Sequence, residues 1–121
     1  MGNELIYLAS PYSHSCEWRR HSRFVAVAKV AGQLISDGKV LFCPITHSHS
    51  ITRYSPLEAM NHEMWMNIDL TMLERCDKLY VVTLDGWKES EGVRQEIEFA
   101  TNKGIPITYL NEQGELINVG N

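Results

Sequence analysis

The feature that most constrains the fold is the alternation of short apolar runs with longer amphipathic stretches. The apolar runs are rich in β-favouring residues and comprise Leu5–Ala9, Val40–Cys43, Leu79–Leu84 and Ile105–Leu110. Such runs are typical of parallel strands that are buried on both faces. The segments between them, about 15–36, 57–76 and 91–103, carry apolar residues at helical spacing. The order β-α-β-α-β-α-β predicts a three-layer α/β sandwich with helices on both faces of a parallel sheet.

Turn and capping residues predict where the helices end. Asp37-Gly38 supplies a left-handed stop for the first helix. Ser90 is a good N-cap for the third helix, which Gly104 would end. The polar stretch 46–56 follows the second strand and predicts a loop that is longer than most connections in compact domains. Long loops of this kind often carry function.

Composition narrows the class of protein. The chain has 121 residues, so we expect residues 1–121 to form a single domain. Its formal net charge of −4 argues against a nucleic-acid polymer or an anionic membrane as partner. Neither a signal-peptide pattern nor an apolar run of ~20 residues is present, which predicts a cytoplasmic protein. The wide spacing of Cys16, Cys43 and Cys76 favours reduced thiols over disulfides or a structural zinc site.

Glu96 is the most informative candidate for a functional site. In open α/β sheets the ligand crevice lies beyond the carboxyl ends of the strands, where helix N-termini converge. Glu96 lies in the second turn of the third helix, in the middle of an apolar face that includes Val93 and Ala100. A buried charge is costly unless it has a partner. The helical pattern alone favours a functional acid and a structural Glu about equally. The structural Glu would either reach solvent past a small residue or form an ion pair with Arg94 or another base.

Three other residues belong to the same crevice. Asp69 lies on the inward side of the second helix, where it is either a structural hydrogen-bond acceptor or a second acid directed at the crevice. Two inward carboxylates from different elements are what glycosidic-bond chemistry requires. Ser90 can cap its helix and also join the helix N-terminus in binding an anion. Gly92 would let a ligand approach the backbone closely.

Histidines and arginines complete the set of candidates. His47 and His49 form an H-x-H in the predicted loop, but without further convergent ligands we expect pocket lining or loop hydrogen bonds, and no metal site. No cofactor is expected either. Arg23 follows Arg19 and Arg20 near the start of the first helix. Such charges usually form a solvated face, although one directed at the crevice could bind a phosphate.

An ordered series of motifs along nearly the whole chain resembles a bacterial and phage domain family of the nucleoside 2-deoxyribosyltransferase superfamily. The series comprises Tyr7-Leu-Ala-Ser-Pro-Tyr-Ser-His14, Arg23-Phe24, Pro44-Ile-Thr-His-Ser-His49, Trp65 with Asp69, Cys76-Asp77-Lys-Leu, Gly86-Trp87, Ser90-x-Gly92-Val93-x-x-Glu96 and Gly104-Ile-Pro. The resemblance implies a flavodoxin-like (Rossmann-like) sandwich with a parallel sheet of four to five strands.

The resemblance also implies roles for individual residues. In that superfamily, a Glu in the place of Glu96 attacks the anomeric carbon of a nucleoside or nucleotide, and a Tyr matching Tyr7 orients it. An Asp matching Asp69 contacts or protonates the base. Besides Ser90 and Gly92, the residues implied to bind substrate are Ala9, Ser10, Pro11, Tyr12, Arg23, His47, His49 and Trp87.

One departure concerns the substrate. Nucleoside transferases of the superfamily tend to carry an Asp six residues before the Glu, whereas this chain has Ser90, as in 2'-deoxynucleoside 5'-phosphate N-hydrolases. A hydroxyl at a helix N-terminus tolerates a phosphate that a carboxylate would repel. The resemblance therefore predicts hydrolysis of a (deoxy)nucleoside 5'-monophosphate in a homodimer or higher homo-oligomer. Base exchange between nucleosides and a non-catalytic nucleotide-binding module are the alternatives.

Overall fold

The computed structural model describes residues 3–57 and 61–119. Its helices are α1 (Glu17–Ser36), α2 (Pro44–Arg53), α3 (His62–Glu74) and α4 (Glu91–Lys103), with a single 3₁₀ turn at Trp87–Glu89 among the described residues. Its strands are β1 (Leu5–Ala9), β2 (Val40–Phe42), β3 (Lys78–Val82), β4 (Ile107–Leu110) and β5 (Leu116–Ile117). The predicted three-layer α/β, flavodoxin-like architecture is confirmed.

The strand order places a crevice in the middle of the sheet. The five strands lie in the order β2-β1-β3-β4-β5. The chain leaves β1 toward β2 on one side and returns to β3 on the other, so the strand order reverses between β1 and β3. The register pairs Tyr7 with Leu79 and Ala9 with Val81. Ligands of doubly wound folds bind beyond the carboxyl ends of the strands at such a reversal.

The alternation of side chains along β1 divides the core into two halves. Ile6 and Leu8 pack with the buried face of α1. Tyr7 and Ala9 point to the opposite face of the sheet, where they join the cluster that includes Val93 and Ala100 of α4. Because Tyr7 shares its face with α4, its hydroxyl can reach a side chain on that helix.

The structure corrects the prediction for residues 46–56. This segment is not a loop for most of its length, because helix α2 runs through it to Arg53. Pro44 occupies the first turn of α2, where proline is well tolerated. The sequence pattern failed here because α2 is mostly polar and partly exposed, so it lacks the apolar stripe that marks most helices.

Two smaller differences concern the ends of the second predicted helix and the sheet. The helix predicted over 57–76 is observed as α3 from His62 to Glu74, and the part of the prediction over 58–60 lies outside the described residues. The sheet is parallel except for β5, which pairs antiparallel to β4. No helix within 3–57 or 61–119 is long and apolar enough to cross a membrane.

Candidate active site

A pocket at the β1–β3 reversal brings together six of the residues predicted to form the site. It holds about 560 Å³ of empty space, which includes the open solvent at its mouth. The predicted residues in its wall are Ser10, Tyr12, Asp69, Ser90, Gly92 and Glu96. They come from the end of β1, from α3 and from the start of α4. We call this cavity the acid pocket.

Glu96 is held in the acid pocket by Tyr7. Its side chain is only 5% exposed, and the Tyr7 hydroxyl donates a hydrogen bond to its Oε2. Burial and the neighbouring Glu96 carboxylate raise the pKa of Tyr7 well above its ordinary value, so the hydroxyl keeps its proton and remains a donor. The alternative partner Arg94 is engaged elsewhere, in exposed ion pairs with Glu91 and, at 2.7 Å, with Glu98.

Burial raises the pKa of Glu96 to about 8, although the Tyr7 hydrogen bond lowers it and the charge of Asp69 raises it further. Burial likewise raises the pKa of Asp69 to about 7. Two carboxyl groups in one poorly solvated pocket resist double ionisation, so near neutral pH they hold one proton between them. The higher pKa of Glu96 places this proton mainly on Glu96, whereas the Tyr7 hydrogen bond favours the charged form of Glu96. The pocket therefore offers one carboxylate and one carboxylic acid, with a proton that can lie on either group.

Three polar atoms of the acid pocket are buried without a hydrogen-bond partner. Across the described parts of the chain, the buried side-chain atoms without a hydrogen-bond partner are Ser10 Oγ, His62 Nε2 and Asp69 Oδ1. All three residues line this pocket. Buried polar groups are nearly always paired in folded proteins. Their concentration around one cavity indicates a polar ligand as the missing partner.

Ser90 fulfils the predicted capping role and also faces the acid pocket. Its Oγ accepts a hydrogen bond from Val93 N at 3.3 Å. Gly92 lies one turn below, where a Cβ atom would come 3.8 Å from Met66 Sδ and 3.9 Å from His62 Cε1. Those are ordinary contact distances, so the backbone around the pocket does not require glycine for packing reasons.

Arg23 contacts two loops of the crevice, and the structure does not bring it into the wall of the acid pocket. Its Nη1 donates to the Ser13 carbonyl at 3.0 Å and its Nη2 to the Asp85 carbonyl at 3.2 Å. Ser13 follows β1 and Asp85 follows β3. The side chain thus ties together the two loops that border the strand reversal.

The remaining predicted residues lie around the acid pocket and not in its described wall. Ala9 and Pro11 are fully buried beneath it. His47 is exposed beside Phe42, with 5.5 Å between ring centroids. Trp87 borders a separate, more open hollow with Asp85 and packs at 5.5 Å from Tyr109.

His49 belongs to a neighbouring surface. Its ring stacks on Phe24 at 4.0 Å, and its Nδ1 makes a 2.8 Å hydrogen bond with the Tyr12 hydroxyl. The orientation of α2 explains why the two histidines do not line the pocket. Ser48, which separates them in sequence, points into the pocket instead.

Sequence reasoning did not assign several residues of the wall to the pocket. They are Ser13, Ile45, Ser48, Thr52, His62, Trp65, Met66 and Val93. A common face for Ser48 and Thr52 could not be predicted, because their segment was predicted to be a loop. On a helix, their spacing of four residues places them on one face. Within the described ranges no three His, Cys, Asp or Glu side chains are placed to hold a metal ion.

A family profile described as a domain of unknown function, DUF1937, matches residues 4–112. The chain belongs to this family. The DUF1937 domain is also similar in structure to a 2-deoxyribosyltransferase from the psychrotolerant bacterium Bacillus psychrosaccharolyticus, with a TM-score of 0.57 and 21% identity. The superposition covers 95% of this chain and 77% of the other. At this identity the similarity shows a shared fold. Comparison with curated proteins gives no match.

Proposed function

We propose that the DUF1937 domain cleaves the N-glycosidic bond of a (deoxy)nucleoside 5'-monophosphate, with Glu96 as nucleophile. The observation that carries the proposal is the buried Glu96 carboxyl, which Tyr7 holds in a pocket that also contains Asp69. The shared fold with a 2-deoxyribosyltransferase supports the same general chemistry. The substrate we propose is a small molecule, and the reaction needs no cofactor.

The proposed reaction has two steps. In the first, a Glu96 oxygen bonds to the anomeric carbon, and the bond to the base nitrogen breaks while Asp69 gives that base its proton. In the second, a water oxygen attacks the same carbon and passes a proton to Asp69 while the ester bond to Glu96 breaks, which releases the sugar phosphate and restores the carboxylate. The first step needs the single proton of the pocket on Asp69, so the proton must leave Glu96, which has the higher pKa, when substrate binds.

Hydroxyl groups and a helix N-terminus support the choice of a 5'-phosphate. Ser10, Ser48 and Ser90 face the acid pocket, and Ser90 begins α4. The first turn of a helix leaves N–H groups without intrahelical partners and carries a partial positive charge. A phosphate at this end would lie near these N–H donors and the Ser90 hydroxyl. A carboxylate side chain at position 90 would instead repel it.

Release of free base from a panel of ribo- and deoxyribonucleoside 5'-monophosphates, followed by chromatography, tests the proposal. We expect Glu96→Ala to lower base release at least about a thousandfold, because the covalent step is lost. Glu98→Gln is the matched control on the exposed side of the same helix and should retain full activity. Equal rates for wild type and Glu96→Ala, or tight binding in calorimetry without any turnover, would contradict the proposal.

Base exchange is the second candidate, and the fold shared with a 2-deoxyribosyltransferase favours it. In this reaction a second base, and not water, would attack the glycosyl ester on Glu96. Adding a free acceptor base to nucleoside substrates separates the two activities. Exchange predicts a new nucleoside that forms only with acceptor present, whereas hydrolysis predicts free base and free sugar without it, or free base and sugar phosphate from a 5'-monophosphate.

A further inference from the structure

A second surface opens beside the acid pocket and is not used by the proposed reaction. We call it the aromatic groove and define it by Tyr12, Trp18, Arg20, His49, Arg53 and Tyr54. Trp18 is 76% exposed and Tyr54 81% exposed. Trp18 stacks with His21 at 6.3 Å between ring centroids, but at such exposure most of the surface of both aromatic side chains is open to the solvent.

The groove lies next to the acid pocket. Tyr12 and Thr52 line both hollows, so the two share a wall. Tyr12 is fixed in this shared wall by its hydrogen bond to His49, which in turn stacks on Phe24. The wall is therefore built from packed rings and has a defined shape.

The groove is positively charged although the chain as a whole is acidic. Arg20 and Arg53 lie along it, against the single acid Glu17 in its described wall. Burial lowers the pKa of His49, and the nearby His21, Arg53 and Arg20 lower it further. Arg20 Nη1 donates a hydrogen bond to the His14 carbonyl, and the Arg53 guanidinium lies over the Tyr54 ring at 5.7 Å. Exposed aromatic faces beside guanidinium groups fit a base and a phosphate.

We propose that the aromatic groove binds a second nucleotide unit of the substrate, joined through phosphate to the nucleoside in the acid pocket. This inference rests on the proposed function. The bridging phosphate would meet Arg20 or Arg53, and the second base would stack on Trp18 or Tyr54. The net charge of −4 makes a short dinucleotide a better occupant than a long polymer.

Binding to the Glu96→Gln variant tests the proposal without turnover. Calorimetry would compare adenosine 5'-monophosphate with pyrophosphate-linked diadenosine, and deoxyadenosine 5'-monophosphate with the 3',5'-linked dinucleotide d(ApA), and then the same pairs with other bases. We expect the dinucleotide of at least one pair to bind about tenfold more tightly than its mononucleotide, since stacking of one base on an aromatic side chain is worth about this factor. The pair that shows the gain identifies the linkage.

Groove variants in the same background separate stacking from charge. We expect Trp18→Ala and Arg53→Ala each to remove most of the dinucleotide gain and to leave mononucleotide affinity unchanged. Trp18→Phe should retain most of it, and Lys29→Ala is the control for loss of an exposed cation on α1. Trp65 lines the acid pocket and can respond to both ligands, whereas Trp87 lines neither hollow. The tryptophan quenching that dinucleotide shows beyond that of mononucleotide should therefore disappear in Trp18→Phe.

Three outcomes would overturn the proposal. If mononucleotides bind and dinucleotides gain nothing, the groove has no such role and the proposed function stands. If Trp18→Ala weakens both ligands equally, the residue acts on the fold or the pocket and not on a second base. If gel filtration shows that Trp18→Ala dissociates an oligomer without a loss of dinucleotide preference, the groove is a contact between copies of the chain. Absence of binding by every nucleotide would contradict the proposed function as well.

Discussion

The acid pocket and the aromatic groove share a wall, yet their chemistry is opposite. The pocket buries Glu96 and Asp69 and contains no lysine or arginine in its described wall. The groove exposes Trp18 and Tyr54 and carries two arginines. Poor solvation shifts pKa values and strengthens electrostatic effects on a reacting bond. Stacking and phosphate contacts work at a solvated surface. In the two proposals, bond cleavage accordingly belongs to the buried hollow and recognition of further substrate groups to the exposed one.

Among the tests of this division, removal of Asp69, the second acid of the pocket, should have the largest effect on the rate. We expect Asp69→Asn to slow base release by about 10²- to 10⁴-fold, because the departing base loses its proton donor. Glu17→Gln removes an acid from the groove and should change the rate less than twofold. Rates measured with a substrate whose leaving group needs no proton should be much less sensitive to Asp69→Asn. Equal sensitivity of both substrates would show that Asp69 does not act as the acid.

A second test compares the stability of the protein across pH. In the folded chain the pKa of Glu96 is about 8 and that of Asp69 about 7, against ordinary values of 4.5 and 3.8 for the solvated side chains. Below about pH 4 these groups cost no stability. As pH rises toward 8, the unfolded chain releases protons that the folded chain retains, so the free energy of unfolding falls.

The Glu96→Gln variant should remove much of this loss. Its free energy of unfolding at pH 8 should exceed that of the wild type by on the order of a few kcal/mol, whereas at pH 4 the two should be similar. Urea titrations at both pH values measure the difference. Glu98→Gln is the exposed control, and an equal pH dependence in wild type and Glu96→Gln would show that burial does not shift Glu96.

The smallest expected effect sharpens the position of the ligand within the pocket. Gly92→Ala should stabilise the fold by roughly 0.5–1 kcal/mol, because alanine is favoured over glycine within a helix and its Cβ meets only ordinary contacts. If substrate lies against α4 as proposed, the same methyl group should raise KM with little effect on kcat. An unchanged KM would place the substrate away from the start of α4.

Most of the fold could be predicted from the sequence, because the signals for its strands and helix ends are local. The apolar run Leu5–Ala9 and the capping residues Ser90 and Gly104 each carry their structural meaning in a few neighbouring residues. Glu96 was identifiable because a charge on an apolar helix face needs an explanation. Its partner Tyr7 lies 89 residues away, and it was assigned from a resemblance and not from periodicity.

Helix α2 shows where local signals fail. Ser48 and Thr52 face the acid pocket, while His49 and Arg53 face the groove. A helix that lines two polar hollows has little need of an apolar stripe, so its sequence looks like a loop. The surface histidines were assigned to the pocket for the same reason, since the rotation of a helix cannot be known before the helix is recognised.

The contact between Arg23 and Gly86 shows how a position without a side chain helps to hold two loops together. Gly86 has φ +89°, and a Cβ atom there would lie 2.7 Å from Arg23 Nη2. Any other residue at this position would strain the backbone and require the guanidinium to shift relative to the carbonyl groups of Ser13 and Asp85. The link between the two loops thus depends on a single hydrogen atom in place of a methyl group. Efforts to change how these loops are joined should begin at Gly86.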